Sequence, residues 1–192
     1  MKDKLPKRYI VLYFSIALLL ISITIRGSFA FYTAVVNGGS TPTEITTAKL
    51  SMKFENSEYI NADDLIILSN DEIEAKSQKS IFDVVNDSEA TGYYDLYFDT
   101  TLTNNLISDD FKWELVVDGV VVNNGSFVTL TKDLNNTTST GSIKLTSSPI
   151  QLSSTNSNHC ILKIWLQETS ANQIELTEGT MSGHARLIAV TK

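Results

Sequence analysis

The chain has 192 residues, 42% hydrophobic and 19% charged, which excludes a disordered protein and suits one domain with a tail. Its net charge is −7, yet five of the fifteen basic residues (Lys2, Lys4, Lys7, Arg8 and Arg26) lie in the first 26 positions beside a single acid, Asp3. The remainder carries ten basic and twenty-one acidic residues, a net of −11, and such a domain repels phosphate, which excludes nucleic acid as a partner.

Lys2 to Arg8 is a basic leader, and Tyr9 to Ile25 is an uncharged apolar run. Ser28 and Ala30 then place small residues at −3 and −1 of a signal-peptidase site, so cleavage is expected between Ala30 and Phe31. The run is short for a spanning helix, which needs about 20 residues, and long for a leader core of about 7–15. Residues 1–30 are therefore expected to form a hydrophobic helix that acts as a signal peptide or a membrane anchor. The basic flank stays inside, so the bulk of the chain is expected outside the cell. Signal peptidase and, through residues 9–25, the membrane are the expected partners of this segment.

Residues 31–47 read as an extended arm or linker, apolar at Phe31, Tyr32, Ala34, Val35 and Val36 and then rich in Gly, Ser and Thr. Those five apolar residues are too few for a core of their own. They are the candidates for a strand donated to the open sheet edge of a neighbouring copy.

From Ala48 onward the period is two. Ala48, Leu50, Met52 and Phe54 alternate with polar residues, Leu65 to Leu68 is a short apolar run, and Ile81 to Val85 is another strand. Tyr94, Leu96 and Phe98 share one face of the next strand, with Tyr93, Asp95, Tyr97 and Asp99 on the other. Phe111, Trp113, Leu115 and Val117 lead into Asp118-Gly119, a hairpin signal because a type I′ turn needs positive φ at both central residues. Asn123-Asn124-Gly125 predicts a second turn before Phe127 to Leu130, and Leu134 to Ser142 a loop or weak strand. Ile143 and Leu145 begin a strand, 153–158 is a polar loop, and His159 to Gln167 is an apolar strand. A loop with a helical turn over 169–180 precedes the last strand, Met181 to Val190. Short strands without helices between them predict an all-β, antiparallel β-sandwich over 48–192.

Catalytic signatures are missing: no H-E-x-x-H, no G-x-S-x-G, no phosphate-binding glycine loop. No cofactor, metal site or catalytic residue is predicted. The single cysteine, Cys160, permits no internal disulfide or cysteine-based zinc motif and reads as a small buried hydrophobe. Export without disulfides fits a Gram-positive bacterium. His159 and His184 read as structural residues, although a pair on neighbouring strands could bind a metal. Asp63-Asp64 and Asp71-Glu72-x-Glu74 read as solvated acidic loops in preference to calcium sites.

Ser28-Phe29-Ala30-Phe31-Tyr32-Thr33-Ala34 and Thr47-Ala48-Lys49-Leu50-Ser51-Met52-Lys53-Phe54 resemble the start of the TasA/camelysin family. Val85-Asn86-Asp87-Ser88, Leu162-Lys163-Ile164-Trp165-Leu166 and Gly179-Thr180-Met181-Ser182-Gly183-His184-Ala185 are further similar stretches. The resemblance implies a jelly-roll sandwich, removal of the leader by a signal peptidase of the SipW type, and assembly into biofilm matrix fibres. It implies a secreted or cell-surface protein whose partners are copies of itself or related matrix subunits. Camelysin-like members are classed as metalloproteases, which makes a surface metalloprotease one alternative. An adhesin or carbohydrate-binding module is the other.

Overall fold

A computed structural model describes residues 33–37, 44–46, 51–55, 57–63 and 65–190. The expected N-terminal helix, the cleavage site at Ala30 and Phe31, and Tyr32 lie outside the described residues. Among the described residues no helix is long and apolar enough to cross a membrane.

Among the described residues thirteen strands form two sheets. In chain order they are β1 (Thr33–Asn37), β2 (Glu44–Thr46), β3 (Ser51–Glu55), β4 (Ile60–Ala62), β5 (Ile67–Leu68), β6 (Gln78–Asn86) and β7 (Gly92–Thr103). Then come β8 (Phe111–Val117), β9 (Val120–Ser126), β10 (Thr138–Lys144), β11 (Ile150–Leu152), β12 (Asn156–Gln167) and β13 (Met181–Val190). The first sheet runs β1-β13-β7-β10, with β11 also on β7 and β4 also on β13. The second runs β2-β3-β6-β12-β8-β9, with β5 also on β12. The chain changes sheet at β1 to β2, β3 to β4, β4 to β5, β6 to β7, β7 to β8, β9 to β10, β11 to β12 and β12 to β13. That is an antiparallel sandwich of jelly-roll type, as the strand pattern and the family resemblance predict. The β5–β12 pair is parallel.

One face of each long strand fills the interior. Tyr94, Leu96, Phe98 and Leu102 from β7 and Met181, Ala185 and Leu187 from β13 are buried. They meet Phe82 and Val84 of β6, Cys160, Leu162 and Ile164 of β12, and Phe111 and Leu115 of β8. Each fully buried large apolar side chain contributes about 1.5–3 kcal/mol. Phe127 ties the layers together: its ring stacks on Phe111 at 4.5 Å and meets Phe98 edge-on at 6.4 Å, geometries that ring quadrupoles favour.

Asp118 and Gly119 have φ of 49° and 80° and join β8 to β9 as expected. The turn expected at Asn123-Asn124-Gly125 is instead part of β9. The glycine serves a close approach: a Cβ on Gly125 would come within 2.9 Å of the Trp113 ring on the neighbouring strand. Phe127–Thr129 is a 3-10 turn, not the expected strand, and it drops Phe127 into the core. The weak segment 134–142 does yield a strand, β10, paired with β7 from Thr138↔Thr103 to Lys144↔Tyr97. The loop expected over 153–158 is shorter than predicted, since β12 already begins at Asn156.

The expected arm contains two of the strands. β2 pairs with β3 through Glu44↔Lys53 to Thr46↔Ser51, and β1 is hydrogen-bonded to β13 in the other sheet.

Candidate functional site

Of the residues proposed as a donated strand, Ala34, Val35 and Val36 lie in β1. β1 ends its sheet, and its neighbour there is β13, the last strand of the same chain. Six residues, Gly38-Gly39-Ser40-Thr41-Pro42-Thr43, separate β1 from β2 in the opposite sheet.

The two histidines occupy different sheets. His159 on β12 has its Nδ1 2.7 Å from Asp83 Oδ1 of β6, and its backbone N–H donates to Asp118 Oδ1. His184 on β13 packs against the Tyr59 ring with centroids 5.0 Å apart. They therefore do not supply one metal site together.

In the acidic stretch 71–74, Asp71 accepts from the Ser69 hydroxyl at 2.7 Å and both glutamates are engaged by lysines. Glu72 pairs with Lys76 and accepts from Ser69. Glu74 accepts from Lys163 at 2.6 Å and from Lys79 at 2.9 Å, and these bonds hold its carboxyl down at about 2. Lys163, on the outer face of β12 but largely covered, also reaches Glu114 at 3.1 Å. Among the described residues no group of three His, Cys, Asp or Glu could hold a metal.

The outer face of the first sheet is the richest in unlike groups. Strand register sets it out as successive cross-strand rows. Asn61, Ser182, Thr101 and Thr140 form one row, and Thr101 and Thr140 share a 3.0 Å hydrogen bond. Next come Tyr59 beside His184, then Asp99 and Ser142. Arg186, Tyr97 and Lys144 follow. Arg186 donates to both oxygens of Asp99 and to Ser142 while its guanidinium lies 4.8 Å from the Tyr97 ring centroid. Partial burial pushes the Asp99 carboxyl up, but the bonds from Arg186 and Ser142 outweigh it and hold it below the usual range. The first of these rows borders an open cavity of about 200 Å³ lined by Asn61, Asp63, Thr101, Thr138, Thr180 and Ser182, with the inward-facing Ala62, Leu102 and Met181 behind them. Sequence reasoning did not find Tyr59 or Asn61, because β4 is three residues long and shows no alternating run; Ser182 falls on the predicted last strand, where a small polar residue carries no signal of a site.

Cys160 is buried in the sandwich with no disulfide partner. Burial pushes its thiol up to about 12, and burial likewise pushes up the Tyr94 hydroxyl. The free thiol titrates near 8.5 in the unfolded chain. Between those values the unfolded state has lost a proton that the folded state keeps, so stability falls as pH rises. Urea melts at rising alkaline pH are expected to show a falling midpoint from about pH 8.5 upward, with a shallower fall in Cys160→Ala. At neutral pH a thiol reagent should label the native protein far more slowly than the denatured one; equal rates would contradict the burial.

Neither a protein-family model nor a curated protein matches the sequence. Among solved structures, a family 35 carbohydrate binding module from an environmental isolate aligns at 9% identity over 82% of this chain and 97% of its own, with a TM-score of 0.40. The CBM36-1 domain of a multidomain xylanase from the hindgut metagenome of Trinervitermes trinervoides aligns at 11% identity over 83% and 98%, with a TM-score of 0.31. The GH26-CBM35 β-(1,4)-mannanase of Podospora anserina aligns at 13% identity over 84% of this chain and 28% of its own, with a TM-score of 0.39. Likeness at these scores assigns this chain no ligand.

Proposed function

We propose that this chain is an exported cell-surface or matrix protein that acts by self-association, with β1 as the exchangeable element. The single observation behind the reading is the place of β1. It is a short terminal strand at a sheet edge, on β13, and a Gly-Gly-Ser-containing tether separates it from β2 in the other sheet. The backbone bonds that hold β1 to its own β13 are the same ones it would make to the β13 of a second copy. Exchange of an identical element costs little and links copies, and strand addition gives affinity through main-chain hydrogen bonds. A head-to-tail exchange does not close on itself, so it builds a filament.

In this reading residues 1–30 export the chain, peptidase cleavage leaves Phe31 at the mature N-terminus, and no catalysis is involved. The resemblance to the TasA/camelysin family supports the same direction. Placing the two histidines on different sheets removes the simplest donor set for the metalloprotease alternative. The adhesin alternative has an observation of its own in the open cavity beside β4.

Concentrating the mature chain is expected to give filaments by negative-stain electron microscopy, with a lag that shortens as concentration rises. A protein that stays monomeric at every concentration by light scattering would overturn the assembly reading.

A further inference from the structure

We propose that the cavity beside β4 and β13 is a subsite for one pyranose ring of a neutral glycan, with Tyr59 as the platform for the adjoining ring. The inference rests on the adhesin reading and is independent of filament assembly.

The cavity holds about 200 Å³. That is below the roughly 300–1,000 Å³ of sites that enclose a drug-sized ligand, and it suits a single ring of a longer, surface-lying chain. Its lining is the kind that recognises a polyol. Asn61 offers an amide donor and acceptor, Asp63 a carboxylate that can accept from two neighbouring hydroxyls, and Ser182 a hydroxyl. Among the described residues none of these three side chains is hydrogen-bonded to another protein group. Ala62, Leu102 and Met181 also border it, but they turn into the sandwich core and are nearly fully buried, so the apolar surface for the C–H face of a sugar is the exposed Tyr59 ring.

The second element is Tyr59. Its side chain is 53% exposed, and its ring is braced against His184. Because Gly183 pairs with Ile60 and Ser182 with Asn61, Tyr59 and Asn61 emerge on the same solvent face. Two residues along a strand are separated by about 7 Å. An oligosaccharide running down this face therefore places one ring in the cavity and the next against the Tyr59 ring, an apolar body with a polar tip.

Charge selects against other ligands. Asp63 repels phosphate and sulfate, and the nearby guanidinium of Arg186 is engaged by both oxygens of Asp99. A divalent cation wants six or more oxygen ligands, usually several carboxylates, and the lining supplies one carboxylate.

The test is isothermal titration of the full chain in mild detergent with cellohexaose, mannohexaose, xylohexaose and chitohexaose at millimolar concentration. At least one is expected to bind. Tyr59→Ala and Asn61→Ala should each weaken that binding about tenfold, the loss of one good contact, and Ser182→Trp, which fills the cavity, should abolish it. All three should melt like the parent by circular dichroism, and Ile81→Ala on the other sheet should bind like the parent. Binding that survives all three substitutions would overturn the site and leave the adhesin reading standing. No heat with any of the four sugars would overturn both.

Discussion

Replacing Asn86 by alanine is expected to lower the unfolding free energy by about 3 kcal/mol. Asn86 ends β6 and is fully buried. Its amide nitrogen lies 2.9 Å from the carbonyl of Ala90 and 3.1 Å from those of Leu152 and Ser153. Its side-chain oxygen accepts from the N–H of Ser88 at 3.1 Å and from the Ser88 hydroxyl. One side chain thus satisfies backbone groups of two loops far apart in the chain. Alanine removes the partner of the buried Leu152 carbonyl and of the buried Ser88 N–H, and unmade bonds cost more than made ones return. For a domain of this size the melting temperature should fall by about 6–12 °C. Asn86→Asp should be worse, because it sets an acceptor, or a buried charge, against three carbonyl oxygens. Thermal melts of the two variants check both the size and the order. A drop below about 1 kcal/mol for both would mean the loops hold without it.

Gly183→Ala is expected to be the most disruptive single methyl addition on β13. A Cβ there would stand 2.8 Å from the backbone carbonyl of Asp99 and closer still to the Phe98 ring. Phe98 is core and Asp99 lies on the central strand β7, paired with β13 along ten residues. A ring can swing, but a paired backbone carbonyl cannot move without loosening the ladder. Overpacking in cores costs about 1–3 kcal/mol, and this site should fall at or above the top of that range. Gly119→Ala gives a contrast of another kind: nothing lies within 4 Å of its Cβ, and the cost comes only from φ of 80°. Urea midpoints of the two variants test the order, and an unchanged midpoint for Gly183→Ala would contradict the packing described for β7 and β13.

Much of the sandwich was readable because long strands bury one face. Tyr94, Leu96 and Phe98 alternate with exposed or paired residues, and Met181 to Val190 does the same, so period two gives both the strand and its inward side. The Asp118-Gly119 hairpin was equally plain, since its backbone requirement is local. Shorter elements were less so: β4 and β11 show no period and exist only through long-range pairing with β13 and β7, and the apolar run Leu65 to Leu68 marked β5 but not its partner β12. The glycine at 125 misled for a physical reason. Sequence records that a side chain is missing but not whether the backbone turns there or a tryptophan ring lies against it. The Tyr59–His184 contact and the cavity beside it depend on β4 meeting β13 from the far end of the chain, which no local pattern encodes. The apolar character of Ala34, Val35 and Val36 was legible, and so was their extended form. Their neighbour β13 was not.

The most direct test of self-association through β1 is electron microscopy of the mature chain with and without Phe31–Val36. The shortened chain is expected to keep its β-sheet circular dichroism and to form no filaments. Excess synthetic peptide of residues 31–37, added to the intact mature chain, should shorten or abolish its filaments by capping free β13 edges. Filaments of unchanged length and number from the shortened chain would contradict strand exchange as the link between copies.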